Sequence, residues 1–206
     1  MTVSRRGLLT ATALLGATSL APPGALATEE EPAVADNGLY TQPFFVDTFM
    51  NFGDDHAEAA AEGKGLVLIF EQRGCPYCRE MHRVNFAVPE IVDFVTEHFN
   101  VIQLDMWGSR EVTDFDGEAM EERALARRWG VNFTPTLVFF AADADVAGKP
   151  GNTVESARLP GYFKPFHFLS MFQFVESGRY DELPFQRFLQ EKAETLREQG
   201  VEVDLW

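Results

Sequence analysis

Cysteine is scarce in this 206-residue sequence, which holds only two. That is too few for the disulfide scaffold that replaces a hydrophobic core in small secreted domains. Positive charge is scarce as well: 17 Lys and Arg stand against 32 Asp and Glu, a net charge of −15. Such acidity argues against nucleic acid and against anionic membrane surfaces as partners, since both repel a negative chain. Beyond the first 21 residues no stretch is long and apolar enough to cross a bilayer. A glycine-rich phosphate loop, a Gly-x-Ser-x-Gly elbow and internal repeats are all missing, so neither phosphate cradling nor a serine nucleophile has its motif here.

What is present begins with a targeting pattern. Arg5-Arg6 precede an apolar run from Gly7 to Ala21, and Ala25-Leu26-Ala27 has the small-x-small form of a cleavage site. Residues 1–27 are therefore expected to be a cleaved signal peptide. Ser4-Arg5-Arg6-Gly7-Leu8-Leu9 is similar to the twin-arginine export signature, the preferred reading over a general secretory signal. Either route ends outside the cytoplasm. No cysteine stands at the new terminus, so no lipid anchor is expected. Without residues 1–27 the chain has 179 residues and, with 32 acids against 15 bases, a net charge of −17. That length suits one domain with a sizeable core. Residues 28–40, acidic and rich in Ala and Pro, read as a disordered leader to a domain over 41–206.

The two cysteines form Cys75-Pro76-Tyr77-Cys78. Gly65 to Phe70 before them is a short apolar run, read as a buried strand, and helical sequence with Met81, Val84, Asn85 and Phe86 follows. Cys75 would then sit near a helix N-cap with Pro76 at the first helical position, where its missing N–H costs nothing. Unpaired N–H groups and the helix dipole favour a Cys75 thiolate, and Cys78 on the same face can attack a mixed disulfide on Cys75. The spacing predicts a dithiol–disulfide site. A structural bridge would close only two residues and constrain little. A copper or zinc site would need His82, with Met81 beside it, as a further ligand. The redox reading is preferred because the strand–turn–helix setting is the one it requires.

Elsewhere, Asp54 or Asp55 could cap a helix through Ala61 to Gly63, and Pro89 restarts a helix carrying Ile91, Val92, Phe94 and Val95. Asn100–Asp105 reads as a strand. Met106 to Glu118 reads as an inserted loop before a helix from Ala119 to Trp129. Asp114, Asp116 and Glu118 lack the ligand set of a calcium loop and read as a solvated turn. Thr134-Pro135 opens a buried strand over Leu137–Phe140, where a cis peptide would explain the proline. Val154–Leu159 is expected to pair back antiparallel, followed by helices over 165–178 and 184–200.

This order resembles the thioredoxin fold, an α/β architecture with a central mixed sheet, helices on both faces and here an extra C-terminal helix. Phe70 to Cys78, Trp107 to Gly117, Phe133 to Phe140 and Leu159 to Tyr162 look like the SoxW-type periplasmic thioredoxins, a resemblance covering about 54–180. It implies a Cys75–Cys78 disulfide, Cys75 as exposed nucleophile and Cys78 as resolving thiol. It further implies a substrate platform made of Pro76, Tyr77, Thr134 and Pro135. Client protein thiols, foremost a SoxYZ-like sulfur carrier, and a CcdA-like membrane electron donor are the implied partners of a monomer that needs no cofactor. General thioredoxins place a buried aspartate six residues before the first cysteine; here that position is Ile69. Glu71, at the strand's end, reads either as a solvated side chain or as the candidate proton relay for Cys78, a role that a water could take instead. The alternatives are a cytochrome c maturation reductase and, behind it, a non-catalytic copper or zinc carrier using Cys75, Cys78 and His82. A DsbA-like oxidase would carry a large helical insertion for which the loop is too short.

Overall fold

The computed structural model describes residues 31–201, so the signal expected over 1–27 lies outside the described residues. Asn51 caps helix α1 (Phe52–Ala61) by accepting the Asp54 N–H at 3.4 Å, upstream of the cap expected at Asp54 or Asp55. Strand β1 (Gly65–Glu71) leads to the dithiol turn and to a short helix α2 (Pro76–Glu80) that runs on as one π turn over Met81–Asn85. Pro89 then opens α3 (Pro89–His98), as its fixed φ and missing N–H allow. Strand β2 (Phe99–Asp105) pairs parallel with β1.

The next segment departs from the sequence reading. Residues 119–121 do not begin a helix. They form strand β4 (Ala119–Glu121), antiparallel to β3 (Glu111–Thr113), and α4 (Glu122–Arg128) starts only after it. Burial of Val112, paired with Met120, pulls these residues into extended register against the core. Nor is Asp114 solvated. It is buried and accepts from Phe115 N at 2.8 Å, Arg128 Nη1 at 2.9 Å, Trp129 Nε1 at 3.0 Å and Gly151 N at 3.0 Å. Four donors, one of them a cation, hold this carboxylate as a structural anchor for the inserted loop.

Strand β5 (Thr136–Phe140) pairs antiparallel with β1 and with β6 (Ala157–Pro160), which gives the order β2-β1-β5-β6. The sheet is covered on both faces, which explains the uninterrupted apolar runs in β1 and β5. On one face Val67, Ile69 and Phe139 pack on Met81, Phe86 and Ile91 and on Phe168 and Phe172 of α5 (Pro165–Glu176). On the other, Leu66, Leu68, Phe70 and Phe140 pack on Phe52, Leu125 and Trp129. Helix α6 (Phe185–Glu198) lies outside α5, setting Phe185 and Phe188 against Phe174 at ring-centroid distances of 5.4 and 5.3 Å.

The N-terminal arm differs from the disordered leader expected over 28–40. Ala35 N donates to Leu39 O and Thr41 N to Ala33 O, both at 2.9 Å, and Leu39 is fully buried. The Tyr40 carbonyl accepts from Gln103 Nε2 at 2.6 Å, and Val46 N donates to Val101 O at 2.8 Å, so the arm covers the outer edge of β2. Acidic composition hid the few apolar anchors, Leu39, Tyr40, Phe44 and Phe45, that tie it down.

Burial has an electrostatic cost on α1. Desolvation pushes the Asp55 carboxyl up to about 6, against the opposing hydrogen bond from the Thr48 hydroxyl at 3.2 Å. A raised carboxyl binds its proton more tightly folded than unfolded, so this residue's contribution falls as pH rises from about 4 to about 6. Asp55→Asn is therefore expected to stabilise the protein at pH 7 by on the order of 1–3 kcal/mol, with the gain vanishing near pH 4. Urea midpoints at the two pH values measure it.

Candidate functional site

The site forms where β1 ends. Gly74 takes a left-handed φ of 69°, a conformation that costs a side-chain-bearing residue, and this turns the chain into the N-cap at Cys75. Cys75 and Cys78 are disulfide-bonded, with Cα atoms 5.2 Å apart. Cys75 Sγ occupies the capping position and accepts the Cys78 N–H at 3.0 Å, the place a serine or aspartate oxygen fills in ordinary helices. The Thr134 hydroxyl donates to the same sulfur at 3.3 Å, and the Thr134 carbonyl lies 3.5 Å from it. The Thr134–Pro135 peptide is cis. Gly161 N donates to Pro135 O at 2.7 Å, and the Thr136 hydroxyl donates to Phe133 O at 2.8 Å, so the platform is fixed on both sides.

The structure brings Cys75, Cys78 and Thr134 together, with Pro76 at the first helical position and Pro135 behind Thr134. One expectation needs correction: Cys75 is only 3% exposed, not an exposed residue, because Thr134 covers it from the neighbouring loop. Cys78 is wholly buried. Exposure at the site belongs instead to aromatic side chains. Tyr77 is 61% exposed, and so is Trp107, whose indole N–H donates to Gln72 Oε1 at 2.7 Å just before the dithiol. Phe133, adjacent to Thr134, is 67% exposed. Sequence reasoning left Trp107 and Phe133 out of the site. Their signal was present, since a large apolar side chain on a loop beside a reactive motif has no core to enter.

The loop that carries Trp107 is anchored on the buried carboxylate of Glu122. Glu122 accepts Asp105 N at 3.0 Å and Arg110 Nε at 3.0 Å, while Asp105 Oδ1 accepts Trp107 N at 2.9 Å. The first residue of α4 thus anchors the loop that carries Trp107.

Glu71 is not a solvated strand end. It is fully buried, and its Oε1 accepts from His82 Nε2 at 2.8 Å. The other ring nitrogen of His82, Nδ1, lies 3.1 Å from Gln42 Nε2. Both nitrogens are therefore engaged away from the sulfurs, and the copper or zinc carrier reading loses its third ligand.

Two donors on Cys75 Sγ stabilise negative charge there once the disulfide is reduced. Thr134→Val removes one of them and keeps the shape. It is expected to slow iodoacetamide alkylation of reduced Cys75 at pH 7 by about threefold to tenfold, a hydrogen bond being worth on the order of 1 kcal/mol. Alkylation of the Cys78→Ser background by mass spectrometry reads this directly.

The sequence profile of the thioredoxin-like domain matches residues 52–176. No curated protein matches the chain in sequence. Among solved structures, a thioredoxin-fold protein from Helicobacter pylori is similar, with 23% identity over 69% of this chain and 94% of that one and a TM-score of 0.47. The C-terminal domain of Neisseria meningitidis DsbD, in the oxidised form, shows 21% identity over 64% and 98%, with a TM-score of 0.44. The periplasmic thioredoxin SoxS from Paracoccus pantotrophus shows 26% identity over 55% and 97%, with a TM-score of 0.36.

Proposed function

This chain belongs to the thioredoxin-like domain family, and on that footing we propose that it is an exported thiol–disulfide reductase of periplasmic client proteins. The observation that carries this reading is the paired donation to Cys75 Sγ from Cys78 N–H and the Thr134 hydroxyl. Both donors favour the thiolate, the form that attacks a disulfide.

In the first step the Cys75 thiolate attacks one sulfur of a client disulfide. A Cys75–client bond forms, the client S–S bond breaks, and the other client sulfur leaves as a thiolate that takes a proton from water. In the second step Cys78 loses its proton and attacks Cys75 Sγ. The Cys75–Cys78 bond forms, the mixed disulfide breaks and the second client thiol is released. The client gains two electrons and the pair loses two. Pro76, Tyr77, Thr134 and Pro135 make the platform for the client, and the exposed rings of Tyr77, Trp107 and Phe133 give it an apolar surface for polypeptide. A SoxYZ-like sulfur carrier as client and a CcdA-like membrane donor complete the cycle. The signal pattern at 1–27 supports a periplasmic location.

Reduced Cys78→Ser protein is expected to hold a stable mixed disulfide with a disulfide-bonded client peptide, while Cys75→Ser holds none on non-reducing gels. The wild-type pair, equilibrated in glutathione and dithiothreitol buffers, is expected near the thioredoxin end of the scale, about −270 mV; a value near about −120 mV would make the protein an oxidant.

A further inference from the structure

Helix α6 lies beyond the residues that match the family, and together with α3 and α5 it walls a groove of about 510 Å³. No residue of the dithiol site lines it. Val88, Ile91, Leu169, Leu196 and Val201 make it apolar, and an apolar crevice of this size with a few placed polar groups is the usual form of a small-molecule site. The chain has four lysines, and two of them, Lys164 and Lys192, line this one groove of a molecule with a net charge of −15. Lys192 is half-buried, and its ammonium donates to Ser170 Oγ at 2.9 Å and to Gln173 Oε1. Ser170 is wholly buried, and its hydroxyl donates to Phe166 O at 2.6 Å, which leaves a lone pair for the lysine. The Phe166 ring centroid lies 5.1 Å from Lys192 Nζ. Every one of these partners is neutral. Glu90 of α3 attracts the ammonium through space, but among the described residues it makes no ion pair with it. A cation is seldom drawn into an apolar crevice without a counter-charge, because desolvating it is costly. That cost shows in the amine, which burial pulls down to about 8. Two helix starts add to the positive field. Helix α3 opens on Val88 and α5 on Lys164, both on the groove, and no side chain caps either end.

We propose that this groove binds a monocarboxylate with an apolar chain, a medium-chain fatty acid in its anionic form, with the carboxylate on Lys192 and the chain along Ile91, Leu169 and Leu196. An ammonium has three protons to donate, and Ser170 and Gln173 take two of them. The third is the donor for the carboxylate, in a charge-assisted hydrogen bond that supplies the counter-charge the fold leaves out. One half-buried cation balances one negative charge, and Glu90 on the same groove repels a second, which selects a carboxylate over a phosphate monoester. A neutral alcohol of equal length would fill the walls but leave the ammonium uncompensated. A cationic chain would meet like charge at Lys192 and Lys164. This site is independent of the reductase reading, because the dithiol and its platform stand outside the groove.

The test is calorimetric titration of the purified protein with decanoate, kept below its micelle concentration. Saturable binding is expected, about tenfold or more tighter than that of decanol, with no binding of acetate or of decyltrimethylammonium. Lys192→Met keeps the length of the side chain without its charge. It is expected to weaken decanoate roughly 10- to 100-fold, the worth of a charge-assisted hydrogen bond, and to leave decanol unchanged, while Lys192→Arg retains most of the affinity. In the wild-type protein decanoate is expected to slow acetic anhydride labelling of Lys192 and to spare Lys64 and Lys149, as read by mass spectrometry. That measurement tests the site even if a variant unfolds. Decanol binding as tightly as decanoate, or unchanged decanoate affinity in Lys192→Met, would reduce the groove to a hydrophobic crevice and overturn the proposal. No saturable binding of decanoate would overturn it too. Binding that appears only after residues 202–206 are removed would give the groove to the chain's own end. Recruitment to phosphatidylglycerol vesicles without a response to decanoate would give it to a membrane surface. Either result overturns the proposal, and none of these outcomes bears on the dithiol, whose reading rests on the mixed-disulfide experiment.

Discussion

Strand β1 is buried along all seven of its residues, from Gly65 to Glu71, and every part of the site is placed by where it stops. A strand with both faces covered can end only by leaving the sheet at a defined point, since its alternating side chains are already committed to two cores. Phe70 enters one core and Ile69 the other, so Glu71 must follow Ile69's face and Gln72 must leave the sheet. The turn at Gly74 then delivers Cys75 to the helix N-cap. Parallel pairing with β2 fixes the height of Asp105 beside Glu71, and with it the start of the Trp107 loop. Antiparallel pairing with β5 fixes Thr136 opposite Phe70, which brings Thr134 over Cys75 Sγ. One buried strand thus sets the positions of three loops that share no sequence neighbourhood.

Polar groups around the dithiol fall into two kinds. Asp114 and Glu122 are buried carboxylates whose donors are supplied in full, and they lock the hairpin β3–β4 and the loop after β2 to the frame. Glu71 is a buried carboxylate with one oxygen supplied and one left open. The difference matters because burying a polar group without a partner is costly, and here that cost falls on the last residue of the strand that leads to the dithiol. The π turn over Met81–Asn85, which directly follows the dithiol helix and carries His82, is a further local irregularity of the kind found near functional sites.

The sulfurs and the exposed aromatic rings of the site lie on separate surfaces. The sulfurs are covered, with Cys75 nearly and Cys78 wholly out of solvent, whereas Tyr77 stands out from α2 and Trp107 and Phe133 from two different loops. Covering the sulfurs limits adventitious thiol exchange, and the exposed rings offer contact area at low conformational cost. The rings are rigidly based: Trp107 through Asp105 and Gln72, Phe133 through the Thr136 hydroxyl, and Tyr77 on the helix itself.

Much of this was legible in the sequence because it rests on local rules. The apolar runs before Cys75 and after Pro135, the prolines at 76, 89 and 165, and the Cys75–Cys78 spacing each announce a strand, a helix start or a redox pair through short-range sterics and periodicity. Those features determined the fold class and the position of the dithiol. The arm over 31–46, the burial of Asp114 and the Glu71–His82–Gln42 chain were not legible, because each depends on partners 11 to 40 or more residues away, and β4 was not because its pairing with β3 depends on the burial of Val112. Acidic composition in the arm spoke for disorder, and a terminal glutamate in β1 spoke for solvent, since both judgements weigh a residue by itself. Burial belongs to the assembled chain: only when the arm crosses β2 and the helix after Cys78 closes over β1 does Glu71 lose its water and gain a histidine in its place.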